Sequence, residues 1–282
     1  MAWSATQYSK FENERNRPIR DLIAQLSQER VATAVDLGCG PGNSTELLAT
    51  RFPDATIIGI DTSTDMLDAA RLRLPKLRFE LEDIATWAAP GPSDGGASAA
   101  QNGASSGRGR ADDLSGLGPY DILFANAALQ WVPDHARLLP ALIGKLAPHG
   151  CLAVQVPDNL DEPAHRLMRE VAADGPWAAK LVDAAGSRAP RHDPTWYVRA
   201  LQPHVASVDI WRTTYHHPLT DAAAIVEWFR GSGLRPFLDP LDAGERTAYL
   251  ERYTAAITTA YPALPDGSVL LPFPRLFFVA TR

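Results

Sequence analysis

Three glycines fall within five positions in VDLGCGPGNST, residues 35–45, directly after a short apolar run. A strand that ends in such a turn presents backbone N–H groups at a helix start, a natural seat for a nucleotide-like ligand. The spacing narrows the choice. A dinucleotide fingerprint needs a third glycine where Asn43 stands, and a P-loop needs a lysine that this turn lacks. The turn at Gly38, Gly40 and Gly42 therefore suits a ligand that lies against backbone without a pyrophosphate. Two acids extend the pattern. Asp61 closes the next apolar run in GIDTSTDML, where a carboxylate accepts from both hydroxyls of a ribose. Asp83 ends the following run in LEDI, placed to accept from the exocyclic amine of an adenine. Either acid alone also suits a helix N-cap.

Such residues need a scaffold, and the apolar pattern supplies it. Ile19, Leu22, Ile23 and Leu26 mark one face of a helix over residues 18–26. ATAVDLG reads as a buried strand, and STELLATRF as a helix entered through Ser44 or Thr45 as N-cap. ATIIGID, TDMLDAARLRL and LRFELEDI continue as strand, helix and strand. YDILFANAALQW is a strand running into a loop or short helix, ARLLPALIGKLA is a helix, and CLAVQV is a further strand. The alternation predicts an α/β fold with a mostly parallel sheet and helices on both faces. HVASVDIWRTTYHH and PRLFFVATR are late strands, and the largely helical stretch between them, 218–272, is the expected cap over the site. Residues 88–118 hold eight of the chain's 20 glycines, no aromatic and no β-branched residue, so a disordered surface insertion is expected. There is no internal repeat, and residues 1–282 read as a single domain.

Composition bounds the partners. Hydrophobic residues make up 45% and charged residues 21%, the balance of a globular protein. The net charge of −6, from 27 Lys+Arg against 33 Asp+Glu, argues against nucleic acid as a partner. An anionic small substrate would need a local cluster of cations against that field. Cys39 and Cys151 are too few and too far apart for a disulfide framework or zinc site. His216 and His217 are adjacent, a poor arrangement for shared ligation, so no metal is expected. The N-terminus has no apolar core for a signal peptide, and LLPALIGKLA is broken by Lys145 before membrane length, so a cytoplasmic enzyme is expected. Nothing in the sequence indicates an oligomeric state.

DLGCGPGNST with Asp61 and Asp83 resembles the class I S-adenosylmethionine-dependent methyltransferases. The resemblance implies a Rossmann-like, mostly parallel seven-stranded sheet and S-adenosyl-L-methionine as cofactor. It sets the glycine turn against the methionine portion, Asp61 on the ribose, and Asp83 with Ile84 at the adenine. Met66 is read either as packing on the adenine or as a core methionine. Asn126 falls near the methyl donor, and the N-terminal YSKFENERNRP folds over the cofactor with Tyr8 and Arg17 as its working residues.

The runs FANAALQWVPDH, LAVQVPDN, DIWRTTYHH, GLRPFL and FPRLFFVA extend the likeness from about Tyr8 to the C-terminus. Together they look like the trans-aconitate 2-methyltransferase family, from which the 88–118 insertion departs. That resemblance implies methyl transfer from a sulfonium to a carboxylate oxygen of a small polycarboxylate. A carboxylate is already ionised near neutral pH, so no general base is required and no catalytic residue is named. Cations should grip the spectator carboxylates, and the arginine fork suits that task. The candidates are Arg17, Arg212, Arg235 and Arg275, although strand alternation points Arg212 away from Tyr215. Trp131, Tyr215 and His217 are the expected pocket walls. Two other readings stay open: a methyltransferase for a carrier-bound malonyl group, and a non-catalytic cofactor-binding module.

Overall fold

Seven strands form one sheet in the order β3-β2-β1-β4-β5-β7-β6. They are β1 (Thr33–Leu37), β2 (Thr56–Asp61), β3 (Arg78–Leu81), β4 (Tyr120–Asn126), β5 (Leu146–Pro157), β6 (Ser207–Leu219) and β7 (Val269–Thr281). The computed structural model describes residues 12–89, 118–186 and 192–282. Tyr8 and nearly all of the expected 88–118 insertion lie outside them. Only β7 runs against its neighbours, pairing antiparallel with both β5 and β6. The other pairings, β1 with β2 and β4, β2 with β3, and β4 with β5, are parallel. The strand order reverses between β1 and β4, where open α/β sheets form their ligand crevice.

Parallel strands covered on both faces read as continuous apolar runs, and β1 is buried at its last four positions. One face packs Val35, Leu37, Leu123 and Leu152 against α5 (His135–Gly144) and α7 (Pro194–Leu201). The other packs Ile122, Phe124, Ala153 and Phe277 against α1 (Glu12–Ile23) and α2 (Asn43–Arg51). The helix α1 begins six residues ahead of the expected start and carries Pro18 inside it. Ser44 and Thr45 are not the N-cap of α2. That position belongs to Gly42, whose φ of 90° lets the helix begin earlier. Both hydroxyls instead donate to Asp36 Oδ2, each at 2.7 Å.

α3 (Thr64–Arg73) follows β2, and α4 (Ile84–Ala88) follows β3. Arg73 pairs with Glu12 of α1 and Glu46 of α2 and so ties three helices together. Asn43 Nδ2 donates to Glu12 Oε1 at 2.9 Å and to Asn16 Oδ1 at 3.2 Å. α1 is thereby fixed over the glycine turn.

The helical cap is assembled from two excursions rather than one. α8 (Ala222–Arg230), α9 (Arg235–Leu238) and α10 (Ala243–Ala260) lie between β6 and β7 as expected. α6 (Pro163–Ala173), from the connection after β5, packs into the same core. Three tyrosines spaced along α10 and its end bind α6. Tyr249 donates to the Met168 carbonyl (2.9 Å), Tyr253 donates to the Ala164 carbonyl (3.0 Å), and Tyr261 accepts from the Ala164 N–H (3.0 Å). Each ring fills the core while its hydroxyl satisfies backbone. A cap drawn at residues 218–272 thus omits the strip of chain that these tyrosines hold. Among the described residues no helix is long and apolar enough to cross a membrane, and no group of His, Cys, Asp and Glu has a metal-holding arrangement.

Candidate active site

The glycine turn forms the floor of a cavity of about 350 Å³ at the carboxyl ends of β1, β2 and β4. Gly38, Gly40 and Gly42 have φ of 69°, 54° and 90°, conformations that side chains with a Cβ rarely adopt. Asp61 holds the turn in place. Its Oδ2 accepts from the Gly40 N–H and its Oδ1 from the Ser63 N–H, both at 2.9 Å. Burial raises the Asp61 carboxyl above its ordinary range, opposed by the N–H groups of Ser63, Gly40 and Thr62. Asp83, Ile84, Met66 and Asn126 line the same cavity. Asp83 Oδ1 caps α4, accepting from Ala85 N at 2.7 Å and Thr86 N at 3.3 Å. The N-cap role and a place on the cavity wall are therefore compatible. Volume, apolar walls and two acids at strand ends suit an adenosyl group.

Asp36 lies beneath this floor, fully buried. Its Oδ1 has no hydrogen-bond partner among the described residues. Burial pushes its pKa up to about 6, against the lowering effect of the Ser44 and Thr45 hydroxyls.

A second, smaller cavity of about 100 Å³ adjoins the first, and Arg15, Asn126, Ala127 and Trp131 line both. All the described residues that line the larger cavity lie between Arg15 and Val132, whereas the smaller one also takes residues between Pro157 and Arg275. Arg275 is only 5% exposed. Its Nη1 donates to Gln155 Oε1 at 2.8 Å, and its guanidinium lies 4.7 Å from the centre of the Phe273 ring. The guanidinium of Arg15 sits 5.7 Å from the Trp228 ring centre. Gln130, Asn159, His165 and Ser232 add to the polar part of the wall. Gln130 Oε1 and Asn159 Oδ1 are buried without a hydrogen-bond partner among the described residues. Buried polar atoms left this way in a cavity are ready for a ligand or water.

The methyltransferase domain family matches residues 11–236. The chain is 52% identical over 282 residues to the trans-aconitate 2-methyltransferase of Methylobacterium radiotolerans, covering 99% of this chain and 98% of that one. To the enzyme of the same name from Variovorax paradoxus it is 49% identical, covering 100% and 99%. The chain belongs to the trans-aconitate 2-methyltransferase family. Among solved structures, the YcgJ protein of Bacillus subtilis superposes with a TM-score of 0.56 at 11% identity, covering 94% of this chain and 98% of that chain. Phosphoethanolamine N-methyltransferase 2 of Haemonchus contortus, solved with S-adenosyl-L-methionine, gives 0.51 at 13% identity, covering 94% and 52%. These two likenesses concern the fold alone.

Within this trans-aconitate 2-methyltransferase fold, the expected pocket residues divide. Trp131, 41% exposed, and Arg275 line the smaller cavity. Arg235, Arg212, Arg17, Tyr215 and His217 line neither cavity. Arg235 opens α9 and faces Asp239 at 4.0 Å. Arg212 lies on the opposite sheet face from Tyr215, where its Nε is 2.7 Å from Asp158 Oδ2. Tyr215 is core: its hydroxyl donates to Asp21 Oδ2 at 2.5 Å and its ring carries the Arg17 guanidinium at 5.1 Å. His217 stacks on Trp228 behind the cavity wall, with ring centres 4.8 Å apart. Burial, followed by the charges of Arg275, Arg17 and His216, lowers its pKa to about 4.

The sequence did not single out Arg15, Gln130, Asn159 and His165, which line the smaller cavity, or Gln155, which lines neither cavity but holds Arg275. Two of them left a signal. Arg15 stands four positions before Ile19, on the same helical face as the core positions of α1. Gln155 is the polar interruption of an otherwise apolar strand, CLAVQVP.

Proposed function

We propose that this enzyme transfers a methyl group to a carboxylate oxygen of trans-aconitate, forming the monomethyl ester. The cofactor occupies the larger cavity and the acid the smaller one. S-adenosyl-L-methionine, when bound, supplies the electrophilic methyl group, and S-adenosylhomocysteine is released. The observation that carries the reading is the almost completely buried Arg275 in a cavity that opens onto the cofactor cavity.

The residues suit this chemistry in three ways. Gly38 and Gly40 offer backbone without side-chain bulk, while Asp61 and Asp83 hold the acceptors that a nucleoside needs. Arg275 offers a fixed fork of donors to a spectator carboxylate, which is the geometry a polycarboxylate demands. Arg15, Asn126 and Trp131 line both cavities and so stand where the two meet. Nucleophile and sulfonium both lose charge on the way to the transition state, and water stabilises the separated charges best. Excluding it favours transfer. Alignment of the two bound partners supplies a further term of about 7–11 kcal/mol. No proton has to be removed from the acceptor, so the polar groups of the smaller cavity bind and orient.

The test is incubation with methyl-labelled cofactor and a panel of free di- and tricarboxylic acids, with the ester identified by mass spectrometry. The trans-aconitate monomethyl ester is the expected product. Transfer to a carrier-bound acid without ester from any free acid would replace this reading.

A further inference from the structure

We infer that Gln155 is a positioning residue that aims Arg275 at the acid through a neutral acceptor, adding no negative charge of its own. It thereby sets the preference of the smaller cavity for an anion. The inference rests on the placement of the acid proposed above.

Gln155 lies on β5, fully buried, in a run where every neighbour from Cys151 to Pro157 is apolar. A polar side chain in such a place is costly unless it is hydrogen-bonded, and here only half of the amide is. Guanidinium carries donors alone, so the group that meets Arg275 Nη1 at 2.8 Å must be the amide oxygen. That choice fixes the orientation of the amide. Nε2 then points elsewhere and has no hydrogen-bond partner among the described residues. On the parallel partner strand the residue in register is Asn126, whose Oδ1 is also without one. Asn126, Gln155 and Arg275 share one face of the sheet, the face that α1 covers.

Three alternatives at position 155 show what the amide achieves. Leucine would fill the space without an orphaned donor, but it would leave the guanidinium without this contact. Glutamate would hold Arg275 more strongly, yet its charge would cancel the one that a substrate carboxylate has to find. Glutamine orients the fork with a neutral acceptor and brings no charge that competes with the ligand. The acid then meets a cation that is already aimed, so less ordering is left to pay on binding.

Calorimetry of trans-aconitate binding to the enzyme–S-adenosylhomocysteine complex tests this in the wild type, Gln155→Leu and Gln155→Glu. Gln155→Leu should weaken the acid roughly fivefold, the loss of one orienting hydrogen bond. Gln155→Glu should weaken it by about 100-fold, because a carboxylate now competes for the same guanidinium. In steady-state assays the acid KM should carry the change and kcat should not. Affinity for S-adenosylhomocysteine should stay within about twofold of wild type, since Gln155 does not line that cavity. Equal losses from leucine and glutamate would make the residue a packing element and overturn the inference. Undiminished acid binding in both variants would overturn it too. Should Gln155→Glu lose cofactor binding, the Leu variant decides alone: unchanged acid affinity overturns the inference, and a selective loss supports it. A wild-type complex that binds no free acid overturns the proposed function and this inference together.

Discussion

Gly38 and Ala128 approach so closely that a Cβ on Gly38 would lie 2.5 Å from the Ala128 Cβ. Gly38 also has a φ of 69°, so a side chain there is strained by backbone and by space at once. Gly40 is different, since a Cβ would meet nothing within 4 Å. Gly38→Ala should cost about 1–3 kcal/mol of folding stability and weaken S-adenosylhomocysteine at least tenfold, by displacing Ala128. Gly40→Ala should cost stability only through its backbone strain. Urea denaturation and calorimetry read both. Unaltered binding by Gly38→Ala would mean that the floor of the cavity yields without consequence.

Asp61 joins the turn to the end of β2 through two backbone N–H groups at 2.9 Å. Asp61→Ala orphans both donors and removes the acceptor proposed for the ribose. Cofactor affinity should fall by about 100-fold, since hydrogen bonds to charged groups are worth ~1.5–3 kcal/mol each. The acid KM at saturating cofactor should change less than about threefold, because the two sites share few contacts. Equal changes in both constants would show that Asp61 supports the whole crevice.

The arginines make a three-way comparison. Arg275→Ala removes a buried cation from the smaller cavity and should raise the acid KM by at least about 30-fold, the ~2–5 kcal/mol of a buried charged contact. Arg212→Ala and Arg235→Ala remove partners of Asp158 and Asp239 outside both cavities. They should leave the acid KM within about threefold of wild type. An Arg235 variant as defective as the Arg275 variant would relocate the acid toward α9.

Two buried groups bend the pH dependence of stability in opposite directions. Asp36 has its pKa raised from 3.8 to about 6. Between those values the unfolded chain gives up its proton first, so stability falls as pH rises, by about 3 kcal/mol in full. His217 is lowered from 6.5 to about 4. There the unfolded chain gains its proton first, so stability falls as pH drops through the same window, by a similar amount of about 3 kcal/mol. Relative to wild type, Asp36→Asn should gain stability as pH rises from about 4 to 6, and His217→Gln as pH falls from about 6.5 to 4. Urea unfolding of the three proteins across this range gives the differences directly. A difference that stays flat with pH in either variant would show that the group titrates alike in both states.

The glycine turn, Asp61 and the strand rhythm were legible because their constraints are local. A left-handed turn needs glycine wherever it occurs, and a buried parallel strand reads apolar whatever lies beside it. Which arginines reach the cavities is a different matter, because it depends on register and on what covers the face. Arg275 shares its face with Phe277 and Val279, and the cap closes over it. Arg235 also sits between proline and apolar residues, but its short helix turns it toward Asp239. Tyr215 and His217 share the face of Arg275, yet Asp21 and Trp228 claim them for the core. Arg15 is harder to read, because Pro18 looks like a helix start and leaves the residues before it as a segment folding over the cofactor through Arg17, whereas the helix already begins at Glu12.

The uneven sharing of walls between the two cavities divides the labour along the chain. Among the described residues the wall of the larger cavity comes from 15–132, while the smaller draws most of its wall from the half that follows. Drift in that later half can therefore retune which acceptor is modified while the donor stays the same. An engineer seeking a new acceptor would randomise positions such as 159, 165 and 232 and leave the nucleoside end of the sheet intact.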